Sequence, residues 1–367
     1  MTGPVNARDL SQEMTCVICL ETFEWDGYTV YEQTPDGPVE VDLPPRESRQ
    51  WASAIDDTFI RCENEIKGLP HFLPVDLARF AEEPVVIGLV GDSNAGKTCL
   101  MVAMSGEMER NGLDDYGLAH MPVSLTEHGR YVDKLVDPFM DYGTIPEHTA
   151  IVSLVEISDA VILRSKRTNR SFPLIFFDAN GETLKGLQGG KLATRYFSRV
   201  DGLIFVADMT KVGVDNRDPS YAAVMTRLKY EFSAETGRLP IPAAIAITKS
   251  DLHRFDAPVD QWINRPPPPG GVIDPVLFDQ ESRDAFAFLE QRKGRAWLTP
   301  LDDFEECTLH FVSASGCSTV VERPDPENPE LLVPHFARPA RPRRVLEPLV
   351  ALLSHIGVLD DSHAQGK

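Results

Sequence analysis

"VVIGLVGDSNAGKTCL", residues 85–100, is the stretch from which the fold can be read. Val85 to Val90 form an apolar run with no polar alternation, as expected for a strand buried in a parallel sheet. Pro84 precedes the run. After Thr98, "CLMVAMSGEMER" places Leu100, Met101, Ala103 and Met104 at helical spacing. Between strand and helix lies G-x(4)-G-K-T, so strand, glycine loop and helix follow in the order a phosphate loop requires. Gly91 and Gly96 allow backbone angles that a side chain would hinder. Backbone N–H groups from Asn94 to Thr98 would wrap a β-phosphate, and the helix N-terminus adds a favourable dipole. The nucleotide-binding positions expected here are Asp92, Ser93, Asn94, Ala95, Gly96, Lys97, Thr98 and Cys99. Lys97 would reach the β- and γ-phosphates, and Thr98 would ligate Mg²⁺. The bland alternative is a chance glycine turn, and the flanking elements argue against it.

From Pro84 onward apolar strands alternate with amphipathic helices. Strands are predicted at 85–90, 151–156, 160–165, 173–177, 202–207, 241–247 and 308–313. Helices are predicted at 97–109, 184–198, 219–236, 280–293 and 345–357. This alternation implies an α/β fold, a mainly parallel sheet with helices on both faces. "LATRYFSRV", "YAAVMTRLKYEF" and "RVLEPLVALLSHI" read as helix faces packed on the core.

Three further motifs stand at strand ends. "FPLIFFDANGETL" ends a strand in Asp178, with Gly181 three residues on. Asp178 would hold Mg²⁺ through a water, and the Gly181 amide would meet a γ-phosphate. A plain turn is the other reading of that pair. "IPAAIAITKSD" ends in Thr248, Lys249, Ser250 and Asp251. A carboxylate at Asp251 can accept two hydrogen bonds from guanine N1 and N2, a donor pair that adenine lacks. The stem of Lys249 can lie over the base. "LHFVSASG" ends in Ser313, Ala314 and Ser315, where the Ala314 amide can meet guanine O6.

Phosphate loop, D-x-x-G, T-K-x-D and S-A-x in this order resemble a translation-factor-class (TRAFAC, Ras-like) P-loop GTPase domain, over roughly residues 83–358. "IGLVGDSNAGKT", "FFDANGE", "RVLEPLVALL" and an N-terminal Cys-x-x-Cys segment resemble, more narrowly, a bacterial double-GTPase family of actinobacterial conflict systems. The resemblance implies GTP or GDP with Mg²⁺, and a GTP-hydrolysing switch. It also implies a protein partner, a second GTPase or an effector, in a bacterial defence or signalling module.

Some positions depart from that pattern. The switch I threonine has two candidates in "DYGTIPEHTAIVSLVEI", Thr144 and Thr149. Thr149 is preferred because it sits just before a strand; it would ligate Mg²⁺ and take part in catalysis. Where Ras-like enzymes place a glutamine after the glycine of D-x-x-G, this chain has Glu182. Glu182 is either the group that handles the attacking water, beside Lys97 and Thr149, or simply an acid near a helix N-terminus. Intrinsic hydrolysis is therefore expected to be slow, and the alternative is a non-hydrolysing GTP/GDP-binding scaffold that docks a partner through its N-terminal segment. Asn94 matches the asparagine that ligates K⁺ in potassium-activated GTPases; an ordinary loop residue is the plainer reading. An ATP-using P-loop protein such as a kinase is disfavoured by "TKSD".

The chain has 367 residues, 42% hydrophobic and 25% charged, which suits a globular protein with a sizeable core. Its formal net charge of −20 argues against broad electrostatic binding of nucleic acid. The one basic island, "RSKRTNR" (residues 164–170), reads as a solvated hairpin tip. No run approaches the ~18 apolar residues of a membrane span, and the first residues lack a secretory signal. The expectation is a cytoplasmic protein whose six cysteines are reduced. Residues 1–80 read as a separate segment with few apolar runs, 83–358 as the P-loop domain, and 359–367 as a short flexible tail. Cys16 and Cys19 have zinc-knuckle spacing, and Cys62 with His71 would complete a Cys₃His site. Buried free cysteines are the alternative. Cys99, Cys307 and Cys317 read as core or loop thiols. "RPPPPGG" (265–271) and "ERPDPENPE" (322–330) read as exposed loops. The long loops at 110–148 and 254–305 are candidate contact regions.

Overall fold

In the computed structural model the described residues are 12–16, 19, 21–34, 37–45, 47–55, 58–65, 70–75, 77, 83–92, 94–123, 125–146, 157–180, 199–213, 219–232, 237–268, 270–324 and 330–359. The strand expected at 151–156 and the helix expected at 184–198 lie outside them.

Among the described residues, six short strands come first. β1 (Gln12–Thr15) and β2 (Thr22–Trp25) form an antiparallel hairpin. β3 (Val30–Thr34), β4 (Gly37–Val41), β5 (Phe59–Arg61) and β6 (Phe72–Pro74) form a four-stranded sheet in the order β4-β3-β5-β6. A short helix, α1 (Trp51–Ile55), crosses between β4 and β5. The sequence shows few apolar runs here, yet Phe23, Trp25, Val30, Ile60 and Leu73 are buried in one core, shared with Ile162 and Ile175 of the central sheet. Strands of three to five residues are too short to show a run or a period.

The central sheet follows. Its strands are β7 (Val85–Gly91), β8 (Leu118–Pro122), β9 (Ile157–Ser165), β10 (Ser171–Asn180), β11 (Gly202–Asp208), β12 (Ala243–Thr248) and β13 (Cys307–Phe311). Their order is β13-β12-β11-β7-β10-β9-β8. The run from β13 to β10 is parallel; β9 and β8 add antiparallel pairs at one edge. The helices are α2 (Lys97–Glu109), α3 (Leu125–Tyr131), α4 (Pro219–Phe232), α5 (Val259–Ile263), α6 (Pro275–Gln291), α7 (Thr299–Asp303) and α8 (Glu347–Ile356). This is the mainly parallel α/β sheet that the alternation implies.

Alternate residues of each central strand enter opposite cores, as period-2 geometry dictates. Val85, Ile87 and Leu89 pack with Leu100 and Met104 of α2 and Leu349 and Leu353 of α8. Val86 and Val90 pack with Val224 and Leu228 of α4 and Phe288 of α6. Both faces are covered, which is why β7, β11 and β12 are apolar throughout. In register, Asp178 lies opposite Leu89, Asn180 opposite Gly91, and Asp208 opposite Thr248. The carboxyl ends of these strands are thus brought level at one edge of the sheet, where ligands of open α/β sheets bind.

Two expected loops hold regular structure. Residues 110–148 contain β8, α3 and two five-residue π-turns, Val132–Val136 and Pro138–Tyr142. Pro138 reads as a break and π spacing departs from a 3.6 period, so the helical pattern is masked. Val136, Phe139 and Met140 are nonetheless buried. Residues 254–305 contain α6, which answers the helix expected at 280–293, and also α5 and α7, where only loop is expected. "ERPDPENPE" is only partly loop: Glu322 to Pro324 belong to β14 (Val320–Pro324), which pairs with β15 (Leu332–Phe336). The basic island forms the turn of the β9–β10 hairpin, as expected, and Lys166 Nζ there lies 2.7 Å from Asp114 Oδ1.

Candidate functional site

The loop between β7 and α2 is shaped by two glycines. A Cβ at Gly91 would lie 2.8 Å from the Val206 carbonyl oxygen of β11, so only glycine lets these strands approach. Gly96 adopts φ +93° and Asn94 φ +65°, both left-handed. No side chain caps α2 at Gly96, so the first-turn N–H groups face the loop. Lys97 is buried and its ammonium donates to the carbonyls of Gly91 (2.7 Å) and Asp92 (3.1 Å). Thr98 and Cys99 follow at the helix start, both half-buried, and burial pushes the Cys99 thiol up to about 11.

The loop is tied to the ends of β11 and β12. Thr248 Oγ1 donates to the Ala95 carbonyl at 2.9 Å. Lys249 Nζ lies 3.3 Å from the Asn94 carbonyl and 2.7 Å from Asp208 Oδ2. Asp208 Oδ1 also accepts from the Thr210 amide and hydroxyl, at 2.9 and 2.6 Å. Lys211 Nζ, just beyond, lies 2.7 Å from Asp92 Oδ2. Asp208 and Lys211 belong to no sequence motif, because Lys249 and Asp92, the side chains they pair with, are far away in the chain.

Asp251, just after β12, and Ser313, just after β13, meet. Ser313 Oγ donates to Asp251 Oδ1 at 2.6 Å, and both residues are buried. The Gly316 amide in turn donates to Ser313 Oγ at 3.0 Å. The Ser250 amide donates to the Val312 carbonyl at 3.1 Å. Ala314 is partly buried, and Ser315 is buried with its hydroxyl on the Cys317 carbonyl at 2.8 Å. The fold therefore gathers Asp92, Asn94, Ala95, Gly96, Lys97, Thr248, Lys249, Asp251 and Ser313 at one edge of the sheet.

Ser93, Thr149, Gly181, Glu182 and the side chain of Asp178 lie outside the described residues. The Asp178 backbone belongs to β10, beside the phosphate-loop strand. Thr144 is engaged elsewhere. It bridges His335 of β15, with Oγ1 3.1 Å from His335 Nε2, and the Ile145 amide donates to the Pro334 carbonyl at 3.2 Å.

A second cluster lies in the N-terminal module. Ligand atoms of Cys16, Cys19, Cys62 and His71 all fall within 4.8 Å of one another. Cys19 Sγ and Cys62 Sγ are 3.8 Å apart, and His71 Nε2 is 3.1 Å from Cys16 Sγ. With zinc–sulfur bonds of about 2.3 Å, the edge of a tetrahedron is about 3.8 Å. The Cys19 amide donates to Cys16 Sγ at 3.4 Å, which favours thiolate character. Burial pushes the Cys16 thiol up, whereas hydrogen bonds with Cys16 and Cys19 hold Cys62 low. Among the described residues, no helix is long and apolar enough to cross a membrane.

Residues 85–267 match the model of the family described as Double-GTPase 2. No curated protein matches the chain. Among solved structures, the chain is similar to the Arl6 BBS3 small GTPase from Trypanosoma brucei with bound nucleotide analogue GppNp. That likeness has 12% identity over 63% of this chain and 87% of the other, with a TM-score of 0.27. A bacterial selenocysteine-specific elongation factor, EF-Sec, is similar at 12% identity over 63% of this chain and 25% of its own, with a TM-score of 0.25.

Proposed function

The chain belongs to the Ras-like P-loop GTPases of the double-GTPase family, and from that premise we propose that it is a Mg²⁺-dependent GTP switch with slow intrinsic hydrolysis. The observation that carries this reading is the Asp251–Ser313 pair. A buried carboxylate, held by a hydroxyl at 2.6 Å, presents a fixed acceptor at the end of β12. Such a group rewards the N1 and N2 donors of guanine and rejects adenine. Lys249 steadies the phosphate loop from the same side, which couples base recognition to phosphate binding.

Thr98, Thr149 and Asp178 offer the hard oxygen donors that Mg²⁺ prefers. When bound, the ion neutralises charge between the β- and γ-phosphates. The tie between Thr144 and His335 supports Thr149 as the switch I threonine. Lys97 stabilises the phosphates, and the Gly181 amide senses the γ-phosphate. Glu182 places a carboxylate where related enzymes use a neutral amide, and its charge opposes the γ-phosphate; slow turnover follows. That same residue favours, as second reading, a scaffold that holds GTP or GDP without cleaving it. Asn94 stands where K⁺ would bind if the cation activates the enzyme.

Cys16, Cys19, Cys62 and His71 fit zinc in both donor type and spacing, and the ion would serve as a structural clamp. We place the boundary between an N-terminal zinc module and the P-loop domain near residues 80–83. The family assignment supports a protein partner, a second GTPase or an effector, in a cytoplasmic bacterial defence or signalling module.

Nucleotide released from denatured purified protein tests the base: guanine is expected, and adenine would sink the reading. Single-turnover hydrolysis with Lys97→Ala and Glu182→Ala variants separates switch from scaffold. A wild-type rate no faster than that of Lys97→Ala would favour the scaffold. Equal rates in K⁺ and Na⁺ buffers would remove the role of K⁺ at Asn94.

A further inference from the structure

Behind the base-recognition loop lies a buried charge network that no step above uses. Glu281 of α6 and His310 of β13 are fully buried, and Glu347 of α8 nearly so. Glu281 Oε1 accepts from the Phe311 amide at 3.0 Å. Its Oε2 accepts from Arg344 Nη2 at 2.6 Å and faces His310 Nδ1 at 2.9 Å. Arg344 Nη1 lies 3.2 Å from Glu347 Oε1. One carboxylate thus holds both the end of β13 and the segment before α8.

That segment is the strap on which the base loop rests. The Ser313 amide donates to the Arg343 carbonyl at 3.0 Å, and the Arg343 amide donates back to Ser313 at 2.8 Å. The Arg341 amide donates to the Ser315 carbonyl at 2.9 Å. Arg344 itself is left-handed at φ +54°, a conformation that a non-glycine residue keeps only when its surroundings hold it. Burial opposes charge on Glu281, but Arg344 and His310 beside it keep its carboxyl below the usual range.

We infer that Glu281 is a positioning residue for guanine recognition: through Phe311 and Arg344 it fixes both sides of the Ser313–Ser315 loop, and so the Asp251 carboxylate that Ser313 holds. The inference rests on residues 313–315 being the base loop. It predicts that Glu281 acts on the choice of base, beyond its effect on stability.

The test compares GDP, IDP and ADP binding to the full chain by competition with a fluorescent guanine nucleotide. IDP lacks the 2-amino group that Asp251 would read. In Glu281→Gln, which keeps shape but loses charge, the GDP-over-IDP preference should shrink by about tenfold, the scale of a hydrogen bond to a charged group. Leu228→Ala, a core change in α4, should lower the melting temperature and leave the preference intact. A Glu281→Gln preference within twofold of wild type overturns the inference. Should that variant fail to fold, Arg344→Lys, which cannot bridge Glu281 and Glu347 together, carries the same expectation and the same overturning result. If the unsubstituted chain does not prefer GDP to ADP, the base-loop reading itself falls, and this outcome is seen before any substitution is made.

Discussion

Asp251 and Cys62 each follow a strand and each sits in a proposed binding site, but they are held by different means. β12, before Asp251, has six buried residues, parallel neighbours on both sides and a helix layer on each face. The loop after it is fastened by Thr248, Lys249 and Ser313 before any ligand arrives. β5, before Cys62, has three residues and shares a single paired position with β3. A small apolar core gathers the chain there, together with the convergence of Cys16, Cys19, Cys62 and His71. On the proposed reading the base loop is ordered by the fold alone, whereas the N-terminal segment would draw added cohesion from a metal held by its Cys/His cluster.

The largest expected effect breaks the first half of that contrast. Asp251→Asn presents an amide donor, which suits the C2 carbonyl of xanthine. Preference for GTP over XTP should fall by about 1000-fold or more, read by competition binding. An unchanged preference would mean that Asp251 does not meet the base.

Next comes the proposed zinc. Chelation, or Cys62→Ala, should lower the melting temperature of the N-terminal module by about 10 °C or more. Amide exchange would sharpen the result: Ile60 and Leu73 should lose protection while Ile87 and Ile245 keep theirs. Loss of protection in both regions would show that the two are one cooperative unit.

Lys249→Ala leaves Asp208 buried without its ammonium partner and releases the Asn94 carbonyl. GDP affinity should drop about 10- to 100-fold, with smaller loss of thermal stability. The smallest effect belongs to Thr144→Val. Its hydroxyl faces His335, so stability should fall by about 1 kcal/mol or less. Mg²⁺-dependent GTP affinity should not move; if it collapses, the switch I assignment passes from Thr149 to Thr144.

The parts legible in sequence are those whose physics is local. β7, β11 and β12 are apolar throughout because both faces are covered, and α2 begins at the lysine of the phosphate loop as expected. The hidden parts depend on distant partners. Glu281 reads as one more surface acid of an amphipathic helix until α8 and β13 close over it. Asp208 gains meaning only through Lys249, from the next strand. The segment 118–142 is obscured by Pro138 and by π turns. In the N-terminal module, strands too short to show a period still bury Phe23, Ile60 and Leu73.

The core of that module does not end at its own strands. It takes in Ile162 of β9 and Ile175 of β10, on the face of those strands opposite Leu163 and Leu174. The described residues among the first eighty therefore cover sheet surface that belongs to the nucleotide-binding half. A chain begun at Pro84 would carry a bare apolar strip on its two longest strands, and its tendency to self-associate would report how much solubility the missing module had been providing.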